Sequence, residues 1–294
     1  MARILIVGPG RVGTALALCL KSFGHHINGA VGRTKESLSC RRFANLVGTS
    51  ITHFHDTLAF SSMISKSDII FLTVHDTDIE LTARQMAHEF SFHNLQLVCH
   101  TAGALGIDTL CSLSKAGAMI GCLHPLQTFA DPLVSSKQLP HSHFAVTGNQ
   151  QVTAILEKLI AGLGATSFIL KDEDRAVYHT AASIASNMLI ALIDTAAKIM
   201  PINDGLGALL PLIEGTVANL KHIGLPNALT GPIERGDIGT VLSHLRALAN
   251  NENANSVYRV LGKATVSVAS EKDSLNEEVK ARLLRILEET PKEG

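Results

Sequence analysis

The chain contains no tryptophan and only two tyrosines, and aromatic residues make up 4% of its 294 residues. Because 46% of the residues are hydrophobic, we predict an aliphatic core and do not expect stacking on aromatic rings to be the main mode of ligand binding. An excess of charge of one sign is also lacking, since the net charge is -1. This balance excludes the strongly basic surface that binding to nucleic acid or to an anionic membrane requires.

The chain has five cysteines, an odd number, and no CxxC pair. They are scattered through apolar runs, so we predict buried free thiols in a reducing compartment. No secretory signal is expected, because the first apolar run, 4–7, is too short. The longest apolar stretch, 181–193, is interrupted by polar residues, and we therefore expect no membrane span. These patterns favour a cytoplasmic protein.

A glycine turn lies between the first apolar run and a helix-forming segment, with the sequence Gly8-Pro9-Gly10-Arg11-Val12-Gly13. A strand, a glycine turn and a helix in this order are typical of a dinucleotide-binding site. We expect Gly8 to make the tight turn, Gly10 to let the backbone approach a pyrophosphate, and Gly13 to let the helix pack on the strand. The N–H groups of Arg11 and Val12 then face the phosphates. The alternative is an ordinary strand-to-helix turn.

No carboxylate stands about 20 residues beyond the glycines, where the second strand is predicted to end and where NAD would need one. Arg33, Thr34 and Lys35 are found there instead. A charge-assisted hydrogen bond from an arginine to a 2′-phosphate contributes ~1.5–3 kcal/mol. We therefore predict NADP(H) as the cofactor, held by Arg33 and Thr34. The alternative is a solvated basic strand end, and Glu36, expected in the next helix, is a late candidate for a ribose contact.

Strand-like and helix-like runs alternate through the first half of the chain, and helical patterns predominate after residue 170. Strands are predicted at 3–7, 27–31, 51–54, 69–74, 95–99, 118–123, 143–147 and 166–170. Helices are predicted at 12–23, 35–46, 56–64, 77–90, 106–115, 150–163, 174–200, 205–222, 237–248, 253–270 and 275–289. The expected fold is an α/β Rossmann domain with a mostly parallel, doubly wound sheet over 1–172, followed by an all-α domain over 173–294.

Three predicted strands are followed by polar residues at their carboxyl ends, where open α/β sheets bind ligands. We expect His75, His100 and Thr101 to contact the cofactor. His100 and His124, which follow consecutive strands, fit proton transfer or carbonyl polarisation near neutral pH. Because the chain has 14 histidines, this placement is equally compatible with chance.

A polar stripe is predicted on the otherwise apolar helix 174–200, formed by His179, Ser183, Ser186 and Asn187 at helical spacing. Such a stripe either lines a pocket or makes hydrogen bonds inside a helical core, and we favour the pocket. A second cluster lies in the loop 229–237.

The loop 229–237 contains Thr230, Arg235 and Asp237. Arg235, with Thr230 beside it, is a candidate for holding a substrate carboxylate or phosphate. The alternative is a loop with a solvated arginine, in which Asp237 caps the next helix. No metal site is predicted, because the paired histidines 53/55 and 141/143 lack ligand partners at suitable spacing apart from Asp56.

Four strings occur in a characteristic order: HTAGAL (100–105), HPLQTF (124–129), YHTAASIASN (178–187) and LTGPIERGD (229–237). Together they resemble a family in which an NADP-type Rossmann domain precedes a helical domain of unknown function. That family is similar to pyrroline-5-carboxylate reductase, ketopantoate reductase and the 6-phosphogluconate dehydrogenase-like hydroxyacid dehydrogenases. The resemblance covers about residues 3–261. It implies a reductase that forms a homodimer through its helical domain.

By this resemblance, Asn187 matches the catalytic asparagine of the hydroxyacid dehydrogenases, in which a lysine stands four residues earlier. Ser183 occupies the lysine position here, so the usual general acid is missing. His179 can replace it, or a hydroxyl on this helix assists, as in the imine reductases. By the same resemblance, the first of the four strings usually carries a serine at the position of Ala102.

We therefore expect an NADPH-dependent oxidoreductase that reduces a small carbonyl or imine compound, with His179, Asn187, Ser183 and His124 as catalytic candidates. The missing lysine and Ala102 favour an alternative, a non-catalytic NADP(H)-binding sensor or regulatory protein. A dehydrogenase that works in the oxidative direction is a third possibility. The expected partners are a small-molecule substrate and a second copy of the chain, with neither nucleic acid nor membrane.

Overall fold

An eight-stranded sheet forms the centre of the first part of the chain in the computed structural model, which describes residues 1–288. The strands are β1 (Arg3–Val7), β2 (His26–Gly32), β3 (Ile51–His53), β4 (Ile69–Leu72), β5 (Leu97–His100), β6 (Met119–Leu126), β7 (His143–Thr147) and β8 (Thr166–Ile169). They lie in the order β3-β2-β1-β4-β5-β6-β7-β8. The first six are parallel, β7 is antiparallel to β6, and β8 is parallel to β7. The predicted mostly parallel sheet is confirmed.

The chain divides into two compact units, Met1–Ser183 and Ile184–Gly294. The helices of the first unit are α1 (Arg11–Ser22), α2 (Leu38–Val47), α3 (Thr57–Ser65), α4 (Asp76–Glu89), α5 (Cys111–Lys115), α6 (Pro132–Gln138), α7 (Gln150–Gly162) and α8 (Arg175–Ser183). The predicted boundary after residue 172 lies just before α8.

Two helices of the first unit differ from the sequence prediction. The helix expected at 106–115 is split into a 3-10 turn, Ile107–Leu110, and α5. The short α6 has no counterpart in the prediction. It begins with Pro132 at its first position, and the Asp131 carboxylate accepts backbone N–H groups at its start, a local stabilisation that outweighs its short length.

Apolar layers cover both faces of the sheet. Ile4 and Ile6 of β1 pack in a cluster with residues of α1, α2 and α7, whereas Leu5 and Val7 pack in another with residues of α3, α4 and α5. Because alternate residues of a strand point to opposite faces, helices lie on both sides of the sheet. The first unit is therefore doubly wound, and its strand order reverses between β1 and β4, which is where such sheets bind ligands.

The second unit is helical. It begins with a π-helical turn, Ile184–Met188, followed by α9 (Leu189–Ile199), α10 (Gly205–Ile223), α11 (Ile238–Ala247), α12 (Glu252–Glu271) and α13 (Glu277–Glu288). Helices α11, α12 and α13 share a buried apolar cluster that includes Val241, Val266 and Leu283. The predicted helix 275–289 corresponds to α13, and its last residue lies outside the described residues, as do residues 289–294 of the predicted second domain.

Helices α9 and α10 expose most of their apolar side chains. No residue of α9 is buried, and in α10 only Gly205 is buried. The stretch Asp172–Ile199 is long and apolar enough to cross a membrane by length and composition, and none of its apolar window is buried. A single helix of this kind is weak evidence for a span, and a protein interface exposes the same kind of surface.

All five cysteines are free thiols. Four of them are buried, as predicted, and burial raises the pKa of Cys19 to about 11 and that of Cys122 to about 12. The prediction is wrong for Cys111, which is exposed at the start of α5, because only one side of this short helix contacts the core.

Candidate functional site

The turn after β1 requires glycine at its first position. Gly8 has a φ of 99°, and its N–H donates to the Val31 carbonyl at 2.8 Å. A Cβ on Gly8 would lie 2.6 Å from the backbone nitrogen of Val74. The chain can therefore turn from β1 into α1 only because this position has no side chain.

Open space lies beside Gly10, at the start of α1. Apart from its chain neighbours, a Cβ on Gly10 would have no protein atom nearer than 3.9 Å, whereas a Cβ on Gly13 would lie 2.7 Å from the Gly8 carbonyl oxygen. Within residues 1–288, no side chain caps α1 and its first turn has no acidic residue. The N–H groups of Arg11 and Val12 therefore lie at a positive helix end with room before it. The residues present fit a bound pyrophosphate.

Two exposed residues, Arg33 and Thr34, follow β2 directly. The Arg33 guanidinium donates from Nη2 to Asp78 Oδ2, on α4, at 3.0 Å. Glu36 was expected in a helix, but it lies in the loop, because α2 begins only at Leu38. The loop after β2 therefore presents Arg33, Thr34 and Glu36 close to the strand end, together with Lys35, which is paired with Asp56 at 3.5 Å.

His75 and Thr101 lie at the same edge of the sheet as the glycine turn. His75 directly precedes α4 and is exposed, and Thr101 directly follows β5 and is half-buried. Because β1, β4 and β5 are parallel neighbours, their carboxyl ends meet at this edge. The predicted contacts of both residues with the cofactor stay predictions.

His100 uses both of its ring nitrogens within the chain. It is fully buried at the end of β5; its Nε2 donates to the Gly106 carbonyl at 3.1 Å, and its Nδ1 accepts the Ala102 N–H at 3.2 Å. Burial and the nearby Arg175 guanidinium lower the pKa of His100 to about 4. The ring therefore orders the loop that follows β5. Neither nitrogen is left for the proton transfer that the sequence suggested.

His124 lies inside a strand and not in the loop predicted after residue 123. The β6 strand continues to Leu126. Its pairing with β5 ends at Cys122, which lies opposite His100, and beyond Cys122 the strand pairs only with β7. The antiparallel β7 supplies the hydrogen bonds that allow β6 to extend beyond its parallel neighbour. His124 therefore stands past the carboxyl end of β5.

The imidazole of His124 contacts a phenol that is not among the site residues predicted from the sequence. His124 Nδ1 lies 2.6 Å from the Tyr178 hydroxyl, on α8, and the two rings meet edge to face with centroids 5.4 Å apart. Burial raises the pKa of Tyr178 to about 12. Burial first, and then His179, Arg175 and His100, lower the pKa of His124 to about 4. Both groups are therefore neutral near pH 7.

His179 lies across from His124, with ring centroids 6.1 Å apart. Both rings approach the backbone of Gly103: a Cβ there would lie 2.6 Å from His179 Nδ1 and 2.8 Å from His124 Nε2. The fold therefore brings together two of the predicted catalytic histidines, and Gly103 is needed because any side chain would displace both rings.

A buried arginine, also absent from the sequence prediction, supports this cluster. Arg175, the first residue of α8, is 1% exposed. It donates from Nη1 to the Gly103 carbonyl at 3.3 Å, from Nη2 to Thr147 Oγ1 at 2.6 Å, and from Nε to Asp172 Oδ1 at 2.7 Å. Its charge disfavours a second cation at His124. The i,i+3 spacing of Asp172 and Arg175 is the signal from which this pair could have been found.

The remaining catalytic candidates lie on either side of a change in helix type. Ser183 ends α8 and is half-buried, whereas Asn187 is exposed in the π-helical turn Ile184–Met188. A π turn holds more residues than an α turn. The regular spacing that predicted a stripe of four polar residues therefore does not hold through this turn, which is a kind of irregularity frequent at functional sites.

Thr230 and Arg235 are exposed in the loop between α10 and α11 of the second unit. Asp237 caps α11, since its carboxylate accepts the Thr240 N–H at 3.0 Å, so the capping alternative is confirmed for this residue. Among residues 1–288, no group of three or more histidine, cysteine, aspartate or glutamate side chains is placed to hold a metal ion.

Two domain models match the sequence: a Rossmann-like domain over residues 2–125, and a domain of unknown function, DUF2520, over residues 142–265. A comparison with curated proteins finds no significant match. Three solved structures illustrate the similarity of fold, and all are below 25% identity, so that they show the fold alone.

A putative NADP oxidoreductase from Bacteroides fragilis has a TM-score of 0.72 and 22% identity, covering 90% of this chain and 97% of its own. A protein from Thermotoga maritima has a TM-score of 0.69 and 22% identity, covering 92% of this chain and 99% of its own. A pyrroline carboxylate reductase from Plasmodium falciparum, solved with NADP bound, has a TM-score of 0.58 and 16% identity, covering 96% of this chain and 98% of its own.

Structures of this fold include complexes with NADP and with NAD+. The neighbours include pyrroline carboxylate reductases, as the resemblance of the sequence implied. Residues 2–125 of the chain thus match a Rossmann-like domain and residues 142–265 a DUF2520 domain, on a fold that the chain shares with a putative NADP oxidoreductase and with pyrroline carboxylate reductases.

Proposed function

We propose that this protein is an NADPH-dependent oxidoreductase that reduces a small carbonyl or imine compound. The observation that carries the proposal is that the glycine turn after β1 and the exposed Arg33 after β2 lie on neighbouring strands, at the point where the strand order reverses. The oxidoreductases of the same fold support this class of reaction.

The residues that hold the cofactor in this proposal lie along the carboxyl edge of the sheet. The open space beside Gly10 receives the pyrophosphate, and Arg33 and Thr34 hold the 2′-phosphate. His75 and Thr101 contact the ribose and nicotinamide portions. When bound, the reduced nicotinamide supplies a hydride to the substrate.

Reduction of a carbonyl or an imine also takes up a proton. His124 and His179 are the proposed sources, because their ring nitrogens approach one point beside Gly103. Ser183 is a proposed contact with the substrate. Asn187, Thr230 and Arg235, which belong to the second unit, stay predictions from the sequence as substrate contacts.

Binding of the two coenzymes to an Arg33→Ala variant tests the proposal. NADPH affinity is expected to fall about tenfold to hundredfold, which is the worth of one charge-assisted hydrogen bond, with NADH affinity unchanged. Arg84→Ala is the matched control, because Arg84 is also an exposed arginine paired with a carboxylate of α4. Equal NADPH binding by wild type and Arg33→Ala would contradict the assignment of the 2′-phosphate site.

A second candidate function is a non-catalytic NADP(H)-binding sensor or regulatory protein. It is favoured by Ser183 in place of the lysine of related enzymes, and by the use of both His100 ring nitrogens within the chain. Transfer of tritium from labelled NADPH to any compound in a panel of oxo acids and cyclic imines distinguishes the two. Transfer supports the enzyme, and tight NADPH binding without transfer supports the sensor.

The proposed assembly is a homodimer formed through the second unit. Apolar residues of α9 and α10 are exposed, among them Ile190, Leu206, Leu210 and Leu212. A helix that is apolar on most sides is stable in water only when another surface covers it, and a second copy of the chain carries the same surface. The start of the long apolar helix is held by protein, since Arg175 is bonded to Gly103 and Thr147, and this argues for a protein interface and against a membrane span.

A cytoplasmic location is proposed because the thiols are free.

A further inference from the structure

Tyr178 has no role in the reduction as proposed above, although its hydroxyl contacts one of the two candidate proton donors. We propose that Tyr178 and His124 form a proton relay and that the bond reduced at this site is a carbonyl C=O. The inference rests on the proposed function, of which it names the substrate class.

The geometry divides the two nitrogens of His124 between two surroundings. Nδ1 faces the Tyr178 hydroxyl at 2.6 Å, and Nε2 faces the Gly103 backbone beside His179. A neutral imidazole has one N–H and one lone pair. When the phenol donates to Nδ1, the ring proton is placed on Nε2, and the ring links the half-buried Tyr178 hydroxyl to the Gly103 side of the cluster.

The charges around His124 require a second proton source. The groups that face it are His179, His100, Arg175 and Tyr178, and the Asp172 carboxylate close to this cluster is bonded to Arg175. A low pKa, about 4, keeps the ring neutral near pH 7. A neutral ring that lost its Nε2 proton alone would become an imidazolate anion, so Nδ1 must accept a proton as Nε2 releases one. Tyr178 is placed to provide it.

A carbonyl needs this delivery more than an imine does. The carbonyl oxygen acquires a full negative charge unless it is protonated as the carbon is reduced, whereas an imine can take its proton from water before it binds and arrive as an iminium cation. The positive charge of Arg175 disfavours a cation bound beside His124, which is itself neutral. The cluster therefore suits a neutral carbonyl.

The step balances in atoms and electrons. The C=O π bond breaks as the carbon accepts a hydride, with its two electrons, from the reduced nicotinamide dinucleotide. The oxygen takes the Nε2 proton of His124, and Nδ1 takes the hydroxyl proton of Tyr178. A proton from water then returns to Nε2 as Nδ1 gives its proton back to the phenolate, which restores the starting tautomer. The product is an alcohol.

The kinetic test compares Tyr178→Phe, His124→Ala and the double variant on a panel of small aldehydes, ketones and 2-oxo acids and on a panel of five- and six-membered cyclic imines. Each single variant is expected to reduce carbonyl turnover about 10²-fold. The double variant is expected to be no more than a few-fold worse, because two residues that act as one unit are not additive. Tyr258→Phe is the matched control, since Tyr258 forms a similar pair with His244 Nδ1, at 2.9 Å, in the second unit.

A second readout does not depend on turnover. The 15N NMR shifts of His124 in the wild-type protein are expected to show a neutral ring protonated on Nε2 from pH 6 to pH 8, and Tyr178→Phe is expected to add the Nδ1-protonated tautomer. An Nδ1-protonated ring in the wild type would overturn the relay. Fast reduction of imines without reduction of carbonyls, at a rate that Tyr178→Phe does not change, would also overturn the relay. The proposed function would then stand. Failure to bind NADPH would overturn the proposed function, and the relay with it.

Discussion

Arg33 Nη2 lies 3.0 Å from Asp78 Oδ2, with 81% of the arginine side chain exposed and 36% of the aspartate side chain. The pair joins the loop after β2 to the first turn of α4. Exposed ion pairs of this kind contribute ~0.2–1 kcal/mol, so a phosphate group can take the place of the carboxylate at little cost. In the proposed cofactor complex, Asp78 competes with the 2′-phosphate for the guanidinium.

Asp78→Asn is therefore expected to strengthen NADPH binding about twofold to fivefold, the equivalent of the ion pair that is removed, and to leave NADH binding unchanged. Titration calorimetry at low and moderate ionic strength measures both affinities. Glu80→Gln is the matched control, because it frees Arg84 on the same helix. Weaker NADPH binding by Asp78→Asn would mean that Asp78 positions Arg33 and does not compete for it.

Gly103→Ala is expected to destabilise the protein by ~1–3 kcal/mol, since the added methyl group overlaps ring atoms of His179 and His124 and overpacking has costs of this size. Thermal unfolding measures the effect. Gly162→Ala, at the end of α7, where a Cβ meets no atom within 4 Å, is the control and should be neutral or stabilising. Adding His179→Ala to Gly103→Ala should restore part of the stability, and no restoration would argue against the close approach of His179.

Stability is expected to fall as the pH is lowered from about 6.5 to about 4. The folded-state pKa of His100 is about 4, below its ordinary value of 6.5, so the unfolded chain binds more protons in this window and acid favours it. For His100 the loss is ~2 kcal/mol between pH 7 and pH 5. Urea unfolding at several pH values measures it.

His100→Asn should reduce this pH dependence by about half even though it lowers stability at pH 7, because one of the two histidines with a pKa of about 4 is gone and His124 remains. The lowered pKa values of Asp56 and Asp68 lie below 3.8 and outside the window. An unchanged slope in His100→Asn would show that another group is responsible.

Leu210→Asp is expected to convert the proposed dimer to a monomer at micromolar concentration, because a charge placed in an apolar interface weakens association at least about tenfold. Sedimentation velocity gives the oligomeric state. Leu58→Asp is the control, since Leu58 is exposed on α3 in the first unit. A wild-type monomer would contradict the proposed assembly.

Local patterns account for most of the predicted elements. The run of apolar residues that forms β1, the glycines after it and the helical periodicity of α10 and α12 all act over a few neighbouring residues, and their positions agree with the structure within a few residues. The parts that were missed either depend on a distant partner or are too short for a periodic pattern to show. The extension of β6 past His124 depends on hydrogen bonds to β7, and α6 depends on a cap and a first-turn proline that outweigh its short length.

The candidate site shows the same division. The glycine turn and the basic residues after β2 could be identified from the sequence, because the backbone geometry and the charge that a phosphate needs are properties of adjacent residues. The phenol and guanidinium beside His124 could not be identified in this way, because Tyr178 and Arg175 reach it from a helix about 50 positions further along the chain. Only folding brings them together, and only burial then removes the charge from the ring.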